Sequence, residues 1–579
     1  MRLHVRRVGA VAWSVGVCVG LGVGEAGAQP LGEGLAERRW TGADLVLGNN
    51  DYNNPGNWLN GGIADGVDEV AVFGADVALQ ANPRLTSPET LVGAVEFRDT
   101  LGPRPFTFEG PGALVVRRGI DNVSAAAQVF NAPIVSRGDG PNDLVPGVIR
   151  NETGGVGYGA LVFNGSVVID RPRMEVSAGA AGVAFNGPVT GGQLRVGSGV
   201  GAVTLRGDNT FNALQVSDGG RVVLEDTGRL ADFVRVSVGA GGRLRLVGVS
   251  DAIDSIGGDG EVRLEGGAEL SIGSESDSAS GSGSVAGTIG GDGRLIKRGD
   301  ATQFTLIGVN TYTGGTRVEA GRLAVLSPSQ GTGTGPTVVA DGARLRGTGA
   351  LAGVVTIESG GTLAPGVRVS AAPSGTGDIE ESTFGFHDLT LEAGARVEMD
   401  IVRETDGTTA QDQILLSGVG MLDGGLSVDV SGSVFFSEGE RLTLFESAVA
   451  GGIQGTFDTV EVTGLVPGVL LDIEYLSQRV DLVVTQAEVL AGDYNFSGRV
   501  EQGDLNLVLS NWGQERTFEN GGEPFATDVV DQEELNRVLS NWGSSNAPSF
   551  AGFDVPEPAG LGAVWIGALS TLTRRRMGR

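Results

Sequence analysis

From about Gln29 to Gln486 the chain is written in short alternating runs, each closed by glycine, asparagine, aspartate or threonine: GALVVRRG, GRVVLEDTG, GRLRLVG, GEVRLEGGAELSIG, GTRVEAGRLAVL, GARLRGTG, GVVTIESGGTLAPG. Within GEVRLEGG, Val262 and Leu264 point to one side while Glu261, Arg263 and Glu265 point to the other. That period of two marks half-buried strands, and no helical period competes with it. Glycine at the corners admits the positive backbone angles that sharp turns require. Strands of three to six residues, broken this often, cannot form one broad sheet. They can wind as rungs, each burying its inward residues against the next. The expected fold is mainly β: an elongated, right-handed parallel β-helix, or solenoid, over residues 29–487. The 99 glycines and 21 prolines make up about a fifth of the 579 residues. That is below the roughly 25–30% of a disordered chain, and 40% hydrophobic residues suffice for a core.

Scarce residue types narrow the function. The only cysteine is Cys18, and the histidines are His4 and His387. Once the N-terminus is removed, disulfides, thiolate zinc sites, cysteine nucleophiles and His-rich metal sites are excluded. A Ser-His-Asp arrangement would have to use His387, in STFGFHDLTLEAG, where a surface histidine is the simpler reading. Acids outnumber bases 70 to 41, giving a net charge of −29, and Lys297 is the one lysine. Such a chain lacks the clustered cations that bind nucleic acid.

Both ends read as targeting segments. Arg2, Arg6 and Arg7 precede the apolar run Val8 to Val23 and Ala26-Gly27-Ala28, the layout of a secretory signal peptide over residues 1–28. The other end, VPEPAGLGAVWIGALSTLTRRRMGR, joins Pro556-Glu557-Pro558 to an uncharged span at 559–573 and then to Arg574, Arg575 and Arg576. As a short hydrophobic helix that span is ~22 Å long, against a hydrocarbon core of ~30 Å. The arginines would stay cytoplasmic. This tail resembles a PEP-CTERM sorting signal. The resemblance implies that the linker and signal at 547–579 are cut near Pro556-Glu557-Pro558 by an exosortase-like enzyme. Contact with the membrane would then come only through the tail. Loss of both ends removes six net positive charges, taking the chain to about −35.

Within the strand-rich region, VAGTIGGDGRLIKRGDATQFTLIGVNTYTGGTRVEAGRLAVL at 285–326 closely resembles the autotransporter-associated β-strand repeat, and GARLRGTGALAGVVTIESGGTLAPG at 342–366 is typical of the segment after such a repeat. The resemblance is strongest over 285–366. A weaker copy lies at 206–224, and 54–74 is similar to the opening of such proteins. Asn310 and Thr311 are expected to bond backbone at a turn, Gly314-Gly315 to make a corner, and Tyr312 to pack inside or on the next rung. Parallel β-helices also host polysaccharide lyases and hydrolases built on carboxylates. Here Asp251, Asp254 and Asp259 are candidate acids in glycine-rich turns without an evident partner.

Residues 492–513, GDYNFSGRVEQGDLNLVLSNWG, carry the one chemical motif. Counting from Asp493, oxygen-bearing Asp493, Asn495 and Ser497 fall at positions 1, 3 and 5. Gly498 is at 6, Arg499 at 7 (through its carbonyl), Glu501 at 9 and Asp504 at 12. This is the spacing of an EF-hand calcium loop, with Glu501 able to act through water and an aspartate in place of the bidentate glutamate. The following helix places Leu505, Val508, Leu509 and Trp512 on one apolar face. Thirty residues on, LNRVLSNWG repeats LNLVLSNWG at eight of nine positions. The loop before it keeps Asp531 and Glu534 at positions 9 and 12 but lacks the earlier ligands. Two such units resemble a type I dockerin, a small α-helical module expected here at 488–546. The resemblance implies calcium ligation by Asp493, Asn495, Ser497, Arg499 and Asp504, a weak second loop, and a cohesin-like partner.

The expected protein is non-enzymatic and exported to the cell surface, outer envelope or extracellular matrix of a bacterium. Its work would be structural or adhesive. The alternative is a component of a system that binds or degrades polysaccharide, docking through the dockerin-like module.

Overall fold

The computed structural model describes residues 31–42, 50–74, 82–99, 102–138, 145–151, 159–217, 219–273, 282–366, 382–403, 409–432, 436–465, 467–487, 490–495, 497–514 and 530–545. The signal segment 1–28 and the tail 547–579, with Pro556, Glu557, Pro558, the 559–573 span, Arg574, Arg575 and Arg576, lie outside them.

From Ala36 to Ala487 strand follows strand, and nearly every one pairs in parallel with a strand about twenty residues further on. Val183 pairs with Val203, Val203 with Val222, Val222 with Leu244, and Leu244 with Val262. The rungs stack into sheets of 12, 9 and 21 strands, which is a parallel β-solenoid. Alternation sets each rung's orientation: Val262 and Leu264 are buried, while Arg263 between them is exposed. Some strands exceed the expected three to six residues. Val167–Ser177 runs for 11 because it passes through a corner without breaking, its register shifting between Ile169 and Arg173. A bulge turns the chain there, where a glycine would elsewhere.

The core is laddered. Phe108, Phe130, Phe163 and Phe185 stack on successive rungs with ring centroids 4.6, 5.0 and 5.0 Å apart, matching the ~4.8 Å spacing of neighbouring strands. The adjoining asparagines form an exposed ladder: Asn164 donates to Asn131 at 2.8 Å, and Asn186 donates to Asn164 at 2.7 Å. Asn310 behaves as expected, accepting from the Ile289 amide at 2.8 Å and donating to the Gly308 and Gly331 carbonyls. Tyr312 is fully buried, its hydroxyl on Thr316. Gly315 has φ +89, and a side chain there would meet the Pro336 carbonyl at 2.5 Å, so only glycine makes this corner.

Each end of the described stack has packing of its own. At the N-terminal end Trp40, Tyr52, Trp58 and Phe73 pack edge and face, and the Trp58 indole donates to the Tyr52 carbonyl at 2.7 Å. At the other end the parallel order gives way to an antiparallel hairpin, Val469–Tyr475 with Arg479–Ala487, whose second strand also pairs antiparallel with Arg441–Ser447. Two helices follow, α1 (Gln502–Ser510) and α2 (Gln532–Ser540), around a small core of their own made of Tyr494, Val500, Val508, Val530 and Val538. Among the described residues no helix is long and apolar enough to cross a membrane.

Candidate metal centre and helix surface

The loop before α1 folds back on its own acids. Asp493 accepts the Ser497 amide at 3.0 Å and the Gly498 amide at 2.7 Å, one on each carboxylate oxygen. Asp504 likewise accepts the Asn495 amide at 2.9 Å and the Glu501 amide at 2.8 Å. Gly498, at φ +76, supplies the left-handed residue that lets the chain curl over Asp493. The Asn495 side-chain oxygen accepts the Ser497 amide at 3.0 Å, and the Ser497 hydroxyl donates to the Arg499 carbonyl at 3.1 Å. Thus all five expected ligands, Asp493, Asn495, Ser497, Arg499 and Asp504, belong to one hydrogen-bonded turn. Glu501 joins that turn through its amide on Asp504, with the residue itself exposed at the start of α1.

Asp493 and Asp504 are both buried, and among the described residues neither makes an ion pair with a cation. Burial, and secondarily the neighbouring Asp504 charge, push the Asp493 carboxyl above its usual range despite the amide donors. Two buried carboxylates, an amide oxygen, a hydroxyl and a carbonyl are a hard-oxygen donor set lacking positive charge, and they fit a calcium ion. The set is lean in charge: among the described residues no group of three or more His, Cys, Asp or Glu side chains could hold a metal. Sequence reasoning overlooked Gly503, where a side chain would come within 2.5 Å of the Asn495 side-chain nitrogen Nδ2. A glycine one residue before position 12 was the available signal.

The two helix units are joined by reciprocal backbone bonds. Val500 donates to Ser544 at 3.0 Å and accepts from Gly543 at 2.9 Å, while Val530 accepts from Gly513 at 2.8 Å and donates to Gln514 at 3.2 Å. Each loop therefore pairs with the far end of the other unit's helix, which sets α1 and α2 antiparallel. Asp531 caps α2, accepting the Glu533 amide at 2.8 Å, and the buried Glu534 accepts the Asp531 amide at 2.7 Å. The rest of that second loop, 515–529, lies outside the described residues.

The single apolar face expected on α1 is buried only in part. Val508 is buried, but Leu509 is 52% and Trp512 45% exposed; their counterparts Leu539 and Trp542 are 53% and 47% exposed. The core between two nine-residue helices is filled by one valine from each, with Leu505, Leu507 and Leu535 at its margin, so the remaining apolar residues stay outside.

Of the solenoid's candidate acids, expected in glycine-rich turns, Asp251 does not lie in one. Asp251 lies within a strand, Ser250–Ile253, buried, with the Leu230 amide on its carboxylate at 3.1 and 3.2 Å. Asp254 is buried as well, one residue past that strand, while Asp259 sits in the turn before Glu261–Glu265. His387 is inside a strand, Ser382–Leu391, with its Nδ1 3.0 Å from the Ser417 hydroxyl and its Nε2 4.0 Å from Asp388. The neighbouring amides that would have to steady an oxyanion are engaged: Gly418 donates to the His387 carbonyl and Val419 to the Asp388 carboxylate. Of the three, only His387 and Ser417 are within hydrogen-bond distance, and 4.0 Å to Asp388 is too long for one.

No family model matches the sequence. A stretch of 79 residues, 14% of the chain, is 42% identical to the adhesin BmaC autotransporter of Brucella suis biovar 1 (strain 1330). The match spans 2% of that protein's length.

Proposed function

We propose that this chain is a bacterial surface protein whose solenoid serves as an adhesive or structural stalk, carrying a calcium-stabilised module and a processed sorting tail. The observation that carries this reading is the solenoid itself: a long parallel stack of rungs with alternating buried and exposed residues, and local similarity to an autotransporter adhesin. The reading treats the solenoid as non-catalytic. Calcium would sit between Asp493 and Asp504, with Asn495, Ser497 and the Arg499 carbonyl completing the set. Binding would supply the positive charge that these buried acids lack. The tail resembling PEP-CTERM would be cut by an exosortase-like enzyme. Deleting the gene should reduce attachment of the cells to surfaces or to one another, and shaving intact cells with protease should release solenoid peptides. Unchanged attachment together with full protection from protease would reject the proposal.

A second reading has its own support. Exposed Leu509, Trp512, Leu539 and Trp542 present one motif twice, once at the C-terminal end of each antiparallel helix. That suits docking to a cohesin-like domain of a polysaccharide-degrading assembly. Capture of the full chain by purified cohesin domains, lost on changing both tryptophans to alanine, would favour it over the stalk alone.

A further inference from the structure

Three corners of the solenoid follow one plan, and the middle one carries an acid where the other two carry an amide. At the first, the buried Asn209 accepts the Val189 amide of the preceding rung at 3.1 Å. Its side-chain nitrogen donates to the Gly207 carbonyl, two residues back, at 2.6 Å and to the Arg229 carbonyl of the following rung at 2.9 Å. At the third, Asn310 accepts the Ile289 amide and donates to the Gly308 and Gly331 carbonyls in the same way. Between them, Asp251 accepts the Leu230 amide of the preceding rung. The backbone around it matches that of the first corner. The Glu269 amide donates to the Val249 carbonyl at 3.0 Å, as the Arg229 amide donates to that of Gly207 at 3.1 Å. Ser250 pairs with Glu269 as Asp208 pairs with Arg229. The carbonyls that an asparagine amide would meet at position 251 are therefore those of Val249 and Glu269.

An asparagine offers hydrogens to both carbonyls, whereas an ionised aspartate offers only lone pairs. Asp251 is buried, so a carboxylate set against two carbonyls is repelled by them and gains little from water. A protonated carboxyl restores one of the two missing donor contacts. The charged groups around the corner do not supply a cation in its place. Arg229 and Asp232 lie on the preceding rung with opposite signs, and Asp208 sits beside Arg229 one rung further back. Glu269, on the following rung, is ion-paired to Arg294, and the buried Asp254 lies one residue past the strand of Asp251. Burial is the largest influence and pushes the Asp251 carboxyl up to about 7. The Leu230 and Ala252 amides pull it down, Asp232 adds to the rise and Arg229 opposes it.

We propose that Asp251 is a proton-operated joint in the solenoid: its carboxyl holds a proton in place of the asparagine amide, donates it to one of these two carbonyls, and loosens the corner when the proton leaves. The sign follows from linkage. The folded corner binds more protons than the opened one between about pH 4 and 7, so its stability falls as pH rises through that window and is level above it. Hydrogen exchange of the full chain, read by mass spectrometry in the parent, Asp251→Asn and Asp254→Asn, tests this. Over residues 229–272 the ratio of the exchange rate in the parent to that in Asp251→Asn should rise at least about tenfold from pH 4.5 to pH 8. It should stay level from pH 8 to pH 9, and the ratio over 342–366 should not change. Asp254→Asn should keep the pH dependence of the parent. A ratio over 229–272 that is the same at pH 4.5 and pH 8 overturns the proposal, as does a pH dependence lost in Asp254→Asn and kept in Asp251→Asn. Faster exchange in Asp251→Asn than in the parent at pH 8, or failure of that variant to fold, also overturns it, because asparagine fits the two equivalent corners.

Discussion

At the scale of single residues, two buried charges set the most direct experiments. Asp493 and Asp504 are held by backbone amides, with no cation paired to them among the described residues, so under the proposed calcium binding the ion would contribute folding energy to the helix pair. Asp493→Ala in the full chain is expected to abolish a calcium-dependent gain in helix and a calorimetric binding signal. Asp531→Ala, which removes only the cap of α2, is expected to leave binding in place and to cost about 1 kcal/mol of stability. Two equal sites by titration would contradict this. Lys297, the one lysine, is fully buried, and its ammonium donates to Thr302 Oγ1 at 2.7 Å and to the carbonyls of Arg298, Gly299 and Ala320. Burial pushes its pKa down from 10.5 to about 8, only partly opposed by Asp300. Because the folded value is the lower one, the unfolded chain binds more protons between about pH 8 and 10.5, and stability rises with pH across that window. The gain is bounded by about 3 kcal/mol, since one unit is worth about 1.4 kcal/mol. Lys297→Met should lose this pH dependence, read as the difference between parent and variant in denaturant midpoints at pH 7.5 and 9.5. It should also be destabilised by roughly 1–3 kcal/mol, because the carbonyls lose their donor.

At the scale of elements, α1 and α2 separate folding from recognition. Val508 and Val538 are wholly buried, and Val508→Ala is expected to unfold the module or to cost about 2 kcal/mol. Leu509, Trp512, Leu539 and Trp542 are about half exposed, and changing both tryptophans to alanine should shift the melting temperature little. Circular dichroism melts of the full chain with calcium distinguish the two outcomes; a large loss in the double variant would mean that these rings are packed. The periodicity in LNLVLSNWG correctly marks a helix. It does not say which apolar residues the helix buries, because that depends on how wide a partner it meets.

At the scale of the molecule, a stack of rungs has stability passed from neighbour to neighbour, so its ends matter more than their size suggests. The Trp40, Tyr52, Trp58 and Phe73 cluster packs the core of the first rungs. Trp58→Ala is expected to remove about 3–5 kcal/mol there. Hydrogen exchange should then speed up in the rungs before about residue 130, while 285–366 keeps its protection. Uniform loss along the whole stack would indicate a single cooperative unit instead.

Alternation and glycine spacing were enough to read the strands, the rungs and the inward residues, because those depend on neighbours two positions away and on backbone angles open mainly to glycine. Asn310 and Tyr312 were legible for the same reason: each makes its contacts within a turn or between repeats of similar sequence. Pairing across rungs was not legible. Asp251 drawn inward onto Leu230, Arg322 set beside Arg344 on the next rung, the closing hairpin at 469–487 and the exposed Trp512 all depend on which rung or helix lies alongside. Register and burial are decided by residues some twenty or more positions apart. Only the folded chain brings those together.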